Sequence, residues 1–226
     1  MQDPLFDLSQ SIGVYSEILD AVRIESPNTT VALTSSAAIY GQPILLPTPE
    51  TATENPLSPY GYHKLICELL SREYASIFGI KTLNLRIFSA YGERLFKQVI
   101  YEMLTKIYSS GNRPVELYGT GNETRDFIYA RDVAKAIDVI YKSGLTGTFN
   151  VAAGKPISIR ELAHLLTQLS NPLREVRFIG KSRPGNPDFW QADISKLQGL
   201  GFIAETPMVE GLSRVVHWFE NSLQDK

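Results

Sequence analysis

Hydrophobic residues recur along this 226-residue chain with two different spacings. In residues 1–26 they stand three or four positions apart, at Ile12, Tyr15 and Leu19, which predicts a helix with one apolar face. Residues 31–34 instead form a short, mostly apolar run, which is typical of a strand buried in a parallel sheet.

The two patterns then alternate to the end of the chain. They predict further helices over 59–78, 97–109, 131–142, 195–200 and 207–223, one more that begins at the capping box of Ser158 and Glu161, and strands near 82–87, 148–152 and 176–179. Alternating strands and helices indicate an α/β fold. Residues 42–59 carry five prolines, which predicts a long irregular loop over the site.

The helix over 59–78 carries the first candidate for chemistry. Ser58 is a favourable N-cap residue and Pro59 suits the first helical position. Tyr60 and Lys64 are four residues apart and therefore share a helix face, where an ammonium would lower the pKa of the phenol. Ser36 could hold a substrate alcohol against Tyr60. The alternative is an amphipathic Tyr/Lys pair on a solvated face, with Ser36 bonded to local backbone.

The buried side of the same helix is predicted from its apolar residues. These are Leu65, Leu69, Leu70, Tyr74 and Ile77. Cys67 is expected to be a small buried hydrophobe.

Composition restricts the class of protein. The chain is 43% hydrophobic and 20% charged, as in an ordinary globular protein, and its net charge of −2 gives no reason to expect nucleic acid or a membrane surface as a partner. The single cysteine excludes an internal disulfide, and no metal site is predicted. No apolar run approaches the length of a membrane span and no signal peptide is visible, so the expected location is the cytoplasm.

Four motifs in order resemble the extended short-chain dehydrogenase/reductases, and within them the NAD-dependent epimerase/dehydratase family that acts on nucleotide sugars. The motifs are SSAAIYG at 35–41, SPYGYHK at 58–64, LRIFSAYG at 85–92 and TRDFIY at 124–129. The resemblance extends over nearly the whole chain. It implies a partial Rossmann-type parallel sheet with a smaller C-terminal substrate-binding lobe.

The resemblance also implies a role for each candidate residue. Tyr60 would be the base that takes the sugar hydroxyl proton, Lys64 would lower its pKa and hold the nicotinamide ribose of NAD, and Ser36 would bond the reacting oxygen. Phe88 would line the nicotinamide. Three further residues would bind a nucleotide-diphosphate sugar: Ser89, where the family usually has Asn, and Arg125 and Arg183, which match positions that bind the pyrophosphate. For the two arginines the alternative is a surface ion pair, for example with Asp126 or Asp188.

Two departures from the family pattern bear on the activity. Dehydratases of the family carry an acidic pair directly after the catalytic hydroxyl residue, where this chain has Ala37 and Ala38. Epimerisation, expected at carbon 4, is therefore favoured over dehydration, which needs an acid and a base at neighbouring carbons. Gln10 stands near a position where an Asn often holds a helix bend. A keto-sugar reductase or dehydratase of the same family remains an alternative.

The motif that binds the dinucleotide phosphates is not found. Only Gly119 and Gly121 form a comparable pair, and they lie in mid-chain without the third glycine. The chain therefore resembles the C-terminal two-thirds of such an enzyme, and we expect the strand at 31–34 to show an unpaired edge. A truncated, non-catalytic nucleotide-sugar-binding remnant is the alternative of another class.

The resemblance implies two structural parts of the chain and an oligomeric state. Residues 1–92 and about 122–153 would form the remainder of the NAD-binding domain, and about 93–121 and 154–226 the substrate-binding lobe. The family also leads us to expect a homodimer, formed through helices that include the one bearing Tyr60 and Lys64.

Overall fold

The computed structural model describes residues 3–111, 113–170, 174–180 and 187–224. The helices are α1 Pro4–Leu8, α2 Val14–Glu25, α3 Pro59–Phe78, α4 Gln98–Ser109, α5 Ala130–Ser143, α6 Ile159–Leu169, α7 Ser195–Gln198 and α8 Met208–Gln224. The strands are β1 Val31–Ser36, β2 Thr82–Ile87, β3 Ser89–Tyr91, β4 Val115–Leu117, β5 Thr124–Tyr129, β6 Gly147–Val151, β7 Pro156–Ser158 and β8 Val176–Phe178. A π-helix at Ser9–Gly13 joins α1 to α2, and a 3₁₀ helix at Ala37–Tyr40 follows β1.

The main sheet is parallel and three-stranded, in the order β1-β2-β6. This confirms the α/β fold, and the strands predicted near 31, 82 and 148 are its members. Among the described residues β1 pairs only with β2, so one edge of β1 has no partner strand there. The carboxyl ends of the three strands lie at the same edge of the sheet.

The remaining strands form two smaller sheets beside the main one. β5 pairs in parallel with β3 and antiparallel with β7, while β4 pairs with β8. Only Phe88 separates β2 from β3, so one continuous segment leaves the main sheet and enters the second sheet. Phe88 therefore lies where the two sheets meet, and its backbone N–H donates to the Val151 carbonyl at the end of β6 (3.0 Å).

Helix α3 begins and ends where the sequence predicts, and three of the five predicted apolar residues, Leu65, Leu70 and Tyr74, are partly buried and pack against the core. Leu69 and Ile77 are 49% and 66% exposed. The most deeply buried residues of α3 are instead small or polar, and they include Cys67, Glu68 and Ser71. The prediction that Leu69 and Ile77 are buried is therefore wrong. Polar side chains of α3 are buried instead, because they find hydrogen-bonding partners on neighbouring elements.

Cys67 is buried and free, as its sequence context predicts. The helices of the described residues include none that combines the length and the apolar character needed to cross a membrane.

Candidate active site

Ser36 ends β1 and begins the 3₁₀ helix. It is the N-cap residue of that helix, and its hydroxyl oxygen accepts a hydrogen bond from the backbone N–H of Ala38 at 3.1 Å. The same hydroxyl lies close enough to the Tyr60 phenol to lower the pKa of that phenol. The local backbone bond of Ser36 and its influence on the phenol therefore exist together.

Tyr60 reaches Ser36 because the first turn of α3 lies unusually close to the 3₁₀ helix. Ser58 caps α3 by accepting from the Gly61 N–H (3.2 Å), and Pro59 occupies the first helical position. A Cβ at Gly61 would lie 2.7 Å from the Ala38 carbonyl oxygen, closer than such atoms approach one another. Glycine at 61 is therefore what allows Tyr60 to approach the end of β1.

The charge environment of Tyr60 differs from the prediction. Tyr60 is 38% exposed, but partial burial still raises the pKa of its phenol; the nearby Ser36 hydroxyl lowers the pKa by less, and the negative charge of Asp7 raises it further. The Lys64 ammonium donates to the Thr34 carbonyl (2.9 Å) and lies 5.8 Å from the centre of the Tyr60 ring. In this arrangement the lysine is bound to the strand rather than to the phenol oxygen, and the lowering of the Tyr60 pKa by Lys64 stays a prediction.

A buried network of charged and polar side chains lies next to the carboxyl end of β1. Arg86 of β2 and Glu68 of α3 are both almost completely buried and joined by bonds of 2.7–3.2 Å. Glu68 also accepts from the hydroxyl of Ser35 (2.5 Å), the residue directly before Ser36. Arg86 donates in addition to the Tyr40 hydroxyl at 2.9 Å. The network thus connects α3, β1, β2 and the 3₁₀ helix beneath Tyr60.

A cavity of about 360 Å³ lies in the second half of the molecule. Its walls include apolar side chains of α4, β4 and β5 together with two of the predicted substrate-binding residues, Ser89 and Arg125. The apolar contributors are Val99, Met103, Leu117, Phe127 and Ile159. An apolar pocket with a few polar groups suits one small organic ligand.

In the part of the chain that the structure describes, Arg125 is one of two half-buried cations that line this cavity, and Lys106 is the other. Its guanidinium donates to the backbone carbonyls of Thr124 (2.8 Å) and Asp188 (3.2 Å). Burial lowers the pKa of Arg125, and the charges of Glu123 and Asp188 oppose that shift. Within the described residues no carboxylate lies within ion-pair distance of this guanidinium, which does not favour the surface-pair alternative. Arg183 lies outside the described residues.

Trp190 connects the cavity to the Ser36 region, a contact that the sequence analysis did not identify. Its indole N–H donates to the Gly41 carbonyl at 3.0 Å, and its ring packs edge-on against Phe88 at 6.1 Å between centres. The guanidinium carbon of Arg125 lies 5.4 Å from the centre of the Trp190 ring. Phe88 itself is buried. Phe88, predicted on the cofactor side, and Arg125, predicted on the substrate side, therefore both contact the same indole.

Asp126 is a second residue with a role that the sequence did not reveal. It is fully buried, and its carboxylate accepts from the backbone N–H groups of Ala153 (3.1 Å), Gly154 (3.0 Å) and Ala192 (3.2 Å). Burial raises the pKa of Asp126 to about 6, against the opposing effect of these bonds. The carboxylate is thus used to hold two loops against β5, and it does not pair with Arg125.

The π-helix at Ser9–Gly13 contains Gln10, the residue that stands near the family's Asn position. Single π-turns of this kind occur often beside functional sites. The backbone of the π-helix contacts α3, because the Ser11 carbonyl oxygen accepts a hydrogen bond from the Cys67 thiol, with 3.6 Å between oxygen and sulfur.

Comparison with known proteins finds relatives that agree with one another in family and fold. The model of the NAD dependent epimerase/dehydratase family matches residues 1–152. A putative UDP-glucose 4-epimerase of Methanocaldococcus jannaschii is 32% identical and aligns with 98% of this chain and 73% of its own length. The UDP-N-acetylglucosamine 4-epimerase of Methanobrevibacter ruminantium, solved with UDP-N-acetylmuramic acid, superposes with a TM-score of 0.87 at 29% identity, over 98% of this chain and 72% of the other. The UDP-glucose 4-epimerase of Thermus thermophilus, solved with NAD, gives 0.87 at 26% identity, over 98% and 73%.

Proposed function

The chain belongs to the NAD-dependent epimerase/dehydratase family of enzymes, and we propose that it epimerises a nucleotide-diphosphate sugar at carbon 4. The single observation that carries the proposal is the close approach of the first turn of α3, which bears Tyr60, to the segment that follows Ser36 at the carboxyl end of β1, one indole away from the cavity that contains Arg125. The relatives named above are 4-epimerases of UDP-sugars, which makes a uridine nucleotide the first substrate to test.

In the proposed reaction Tyr60 moves the proton. It accepts the proton of the sugar C4 hydroxyl while the hydrogen on C4 leaves as hydride, which gives a C4 ketone. It returns the proton when hydride is added to the opposite face of that ketone. Ser36 holds the C4 oxygen through both steps. NAD, when bound, supplies the acceptor and donor of the hydride.

The residues at the edge of the main sheet fit the nicotinamide end of NAD. A lysine ammonium, a phenol and a buried aromatic ring, from Lys64, Tyr60 and Phe88, come together where β1 and β2 end. Open α/β sheets bind their ligands outside these strand ends. We assign Lys64 to the nicotinamide ribose and Phe88 to the face of the nicotinamide ring.

The cavity is the proposed site of the nucleotide and the pyrophosphate. Its apolar walls suit a base, and the half-buried guanidinium of Arg125 suits a phosphate because its fork can bond two oxygens. Ser89 and Arg183 are assigned to the same ligand. We assign the segments at about 93–121 and 154–226 to a substrate-binding lobe, supported by the pairing of β4 with β8.

The residues after Ser36 favour epimerisation over dehydration. Ala37 is fully buried and Ala38 contacts Gly61 through its carbonyl. Neither side chain offers the acid that loss of water requires. An epimerase needs only one group that takes and returns the same proton.

The proposal is tested by incubating the chain with NAD and, separately, UDP-glucose, UDP-glucuronate or UDP-N-acetylglucosamine, and by separating the nucleotide sugars by chromatography. We expect one of them to reach equilibrium with its C4 epimer without net formation of NADH. Stoichiometric consumption of NADH with a keto-sugar would indicate a reductase, and a keto-sugar that has lost water a dehydratase. Binding of UDP without any product would indicate the non-catalytic alternative.

Arg125→Met is expected to weaken the binding of UDP by about 10- to 100-fold. The reason is that a charge-assisted bond to phosphate contributes about 1.5–3 kcal/mol, and each 1.4 kcal/mol is a factor of ten. Calorimetric titration with UDP measures the effect and requires neither NAD nor turnover. The matched control is Arg177→Met on β8, whose exposed guanidinium pairs with Glu175 away from the cavity. Equal affinities for the two variants would contradict the assignment.

We also propose a homodimer formed through α2 and α3. Val14 and Ile18 of α2 and Leu69 and Ile77 of α3 leave apolar side chains exposed on neighbouring helices. Burial of such a face supplies the main driving force of association. The double variant Leu69→Glu, Ile77→Glu is expected to sediment as a monomer at concentrations where the unaltered chain is a dimer. Ile44→Glu, at a fully exposed apolar position in the 42–59 loop, serves as the control that should leave the dimer intact.

A further inference from the structure

The cavity is lined by two groups of elements, and they suit different parts of a nucleotide sugar. Arg125 of β5 lies beside Trp190, which contacts Phe88 at the end of the main sheet. The second group is α4 and the end of β4, which contribute Lys106 and Tyr118. In a nucleotide-diphosphate sugar the two phosphates stand between the hexose and the nucleoside. With the pyrophosphate assigned to Arg125 and the hexose to the side of Phe88, the wall formed by α4 and β4 is left for the base.

Lys106 holds its ammonium at this wall. Its Nζ donates to the backbone carbonyl of Glu116 on β4 at 2.7 Å and lies 5.4 Å from the centre of the Tyr118 ring. Tyr118 is 47% exposed and lines the same cavity. An ammonium has three donor hydrogens and no acceptor, so the bond to Glu116 leaves two further donors. Because that bond already fixes the end of the side chain, a ligand that binds Lys106 orders it at little additional cost.

We propose that Lys106 selects the base of the nucleotide and favours uracil over cytosine. The inference rests on the proposed placement of the nucleotide in the cavity. The two bases share one ring and one carbonyl at position 2, but at position 4 uracil has a carbonyl oxygen where cytosine has an amino group. An ammonium donates to the carbonyl oxygen, whereas it has no acceptor for the hydrogens of the amino group. Lys106 is thus a specificity-determining residue that acts on binding and not on the transfer of hydride.

A cation in this cavity could instead bond a phosphate, and its neighbours favour the base. Leu117, Met103 and Tyr118 line the cavity together with Lys106. These apolar and aromatic side chains suit the faces of a flat ring and offer a phosphate no hydrogen bond from an apolar atom. The two roles also differ in what they recognise, since a phosphate contact is the same for every nucleoside diphosphate and a base contact is not.

The test is calorimetric titration with UDP and with CDP, which carry the same ribose and the same two phosphates. The unaltered chain is expected to bind UDP about ten-fold or more tightly than CDP, the effect of one hydrogen bond to a charged group. Lys106→Met keeps the length of the side chain and removes the ammonium. It is expected to lose about ten-fold in affinity for UDP and little in affinity for CDP, so that the two affinities become nearly equal.

Two matched variants separate this effect from a loss of phosphate binding and from a general loss of charge. Arg125→Met is expected to weaken UDP and CDP by the same factor and to keep the preference for UDP. Lys142→Met on α5, whose exposed ammonium pairs with Asp138, should change neither affinity. Lys106→Gln is the second variant if Lys106→Met folds poorly, as judged by circular dichroism. Its amide both donates and accepts, so it is expected to bind CDP as tightly as UDP.

Equal losses of UDP and CDP affinity in Lys106→Met would assign the lysine to the phosphates and overturn the proposal. An unchanged affinity for UDP, equal binding of both nucleotides by the unaltered chain, or failure of both Lys106 variants to fold would overturn it as well. If the unaltered chain binds neither nucleotide, the placement of the nucleotide in the cavity is wrong and the inference is wrong with it. Binding of UDP with the expected preference but without formation of an epimer would overturn the proposed reaction alone, because the titrations require neither NAD nor turnover.

Discussion

Tyr60→Phe is expected to reduce the rate of epimerisation by about 10²- to 10⁴-fold, the usual contribution of a general acid or base. The substitution removes only the phenol hydroxyl and leaves the ring beside Lys64. Since the nucleotide is assigned to the cavity around Arg125, the affinity for UDP should be unchanged. Turnover is measured by the formation of the C4 epimer, and affinity by calorimetry with UDP.

Tyr62→Phe is the matched control for this prediction. Tyr62 lies on the same helix turn, but its side chain is half exposed, and its loss of a hydroxyl should leave turnover within about two-fold of the unaltered chain. Epimerisation by Tyr60→Phe at the rate of the unaltered chain would contradict the role of Tyr60 as the base. A parallel loss of UDP affinity would instead indicate that the substitution disturbs the fold between Ser36 and Trp190.

Local signals account for the parts of the fold that the sequence predicted well. The Ser58 cap, Pro59 and the glycine at 79 fix both ends of α3, and the Ser158–Glu161 capping box begins α6 as expected. These features depend on residues within one turn of each other. They can be recognised without knowledge of what the helix packs against.

The predictions that depended on distant residues were less successful. The burial of Glu68 on α3 depends on Arg86, which lies on another element and is indistinguishable in the sequence from other residues of an ordinary strand. The pKa of Tyr60 depends on burial and on Asp7, which is more than fifty residues away. Trp190 likewise joins the two parts of the site with no spacing signal. The candidate residues were identified by resemblance, whereas their electrostatic surroundings required the structure.

The polar contact between α3 and the sheet is centred on Arg86, and its contribution to the stability of the fold can be measured. The Arg86 guanidinium bonds to Glu68, Tyr40, the Glu50 carbonyl and Glu54. Burial by itself lowers the pKa of Arg86, but the bonds to Glu68 and Tyr40 more than reverse this effect, and the pKa is raised. The arginine is therefore charged, and its removal would leave the buried Glu68 carboxylate with only the half-exposed Arg72, at 3.5 Å, as a cation.

Arg86→Met is accordingly expected to lower the free energy of unfolding by about 3–5 kcal/mol, the cost of removing one partner of a buried ion pair. Equilibrium unfolding in urea at neutral pH measures it. The control is Arg23→Met on α2, which breaks an exposed pair with Asp20 and should cost less than about 1 kcal/mol.

The double variant Arg86→Met, Glu68→Met separates the cost of the unpaired charge from the worth of the pair. With both charges removed, no buried carboxylate is left uncompensated, and replacement of a buried pair by apolar residues is often close to neutral. The double variant should therefore be more stable than Arg86→Met alone, even though it carries one substitution more. The double variant could instead prove no more stable than Arg86→Met. That outcome would mean that the hydrogen bonds of Glu68 to Ser35 and of Arg86 to Tyr40 contribute more than the ion pair. The network would then stabilise the edge of the sheet at Ser36 through hydrogen bonds rather than through charge.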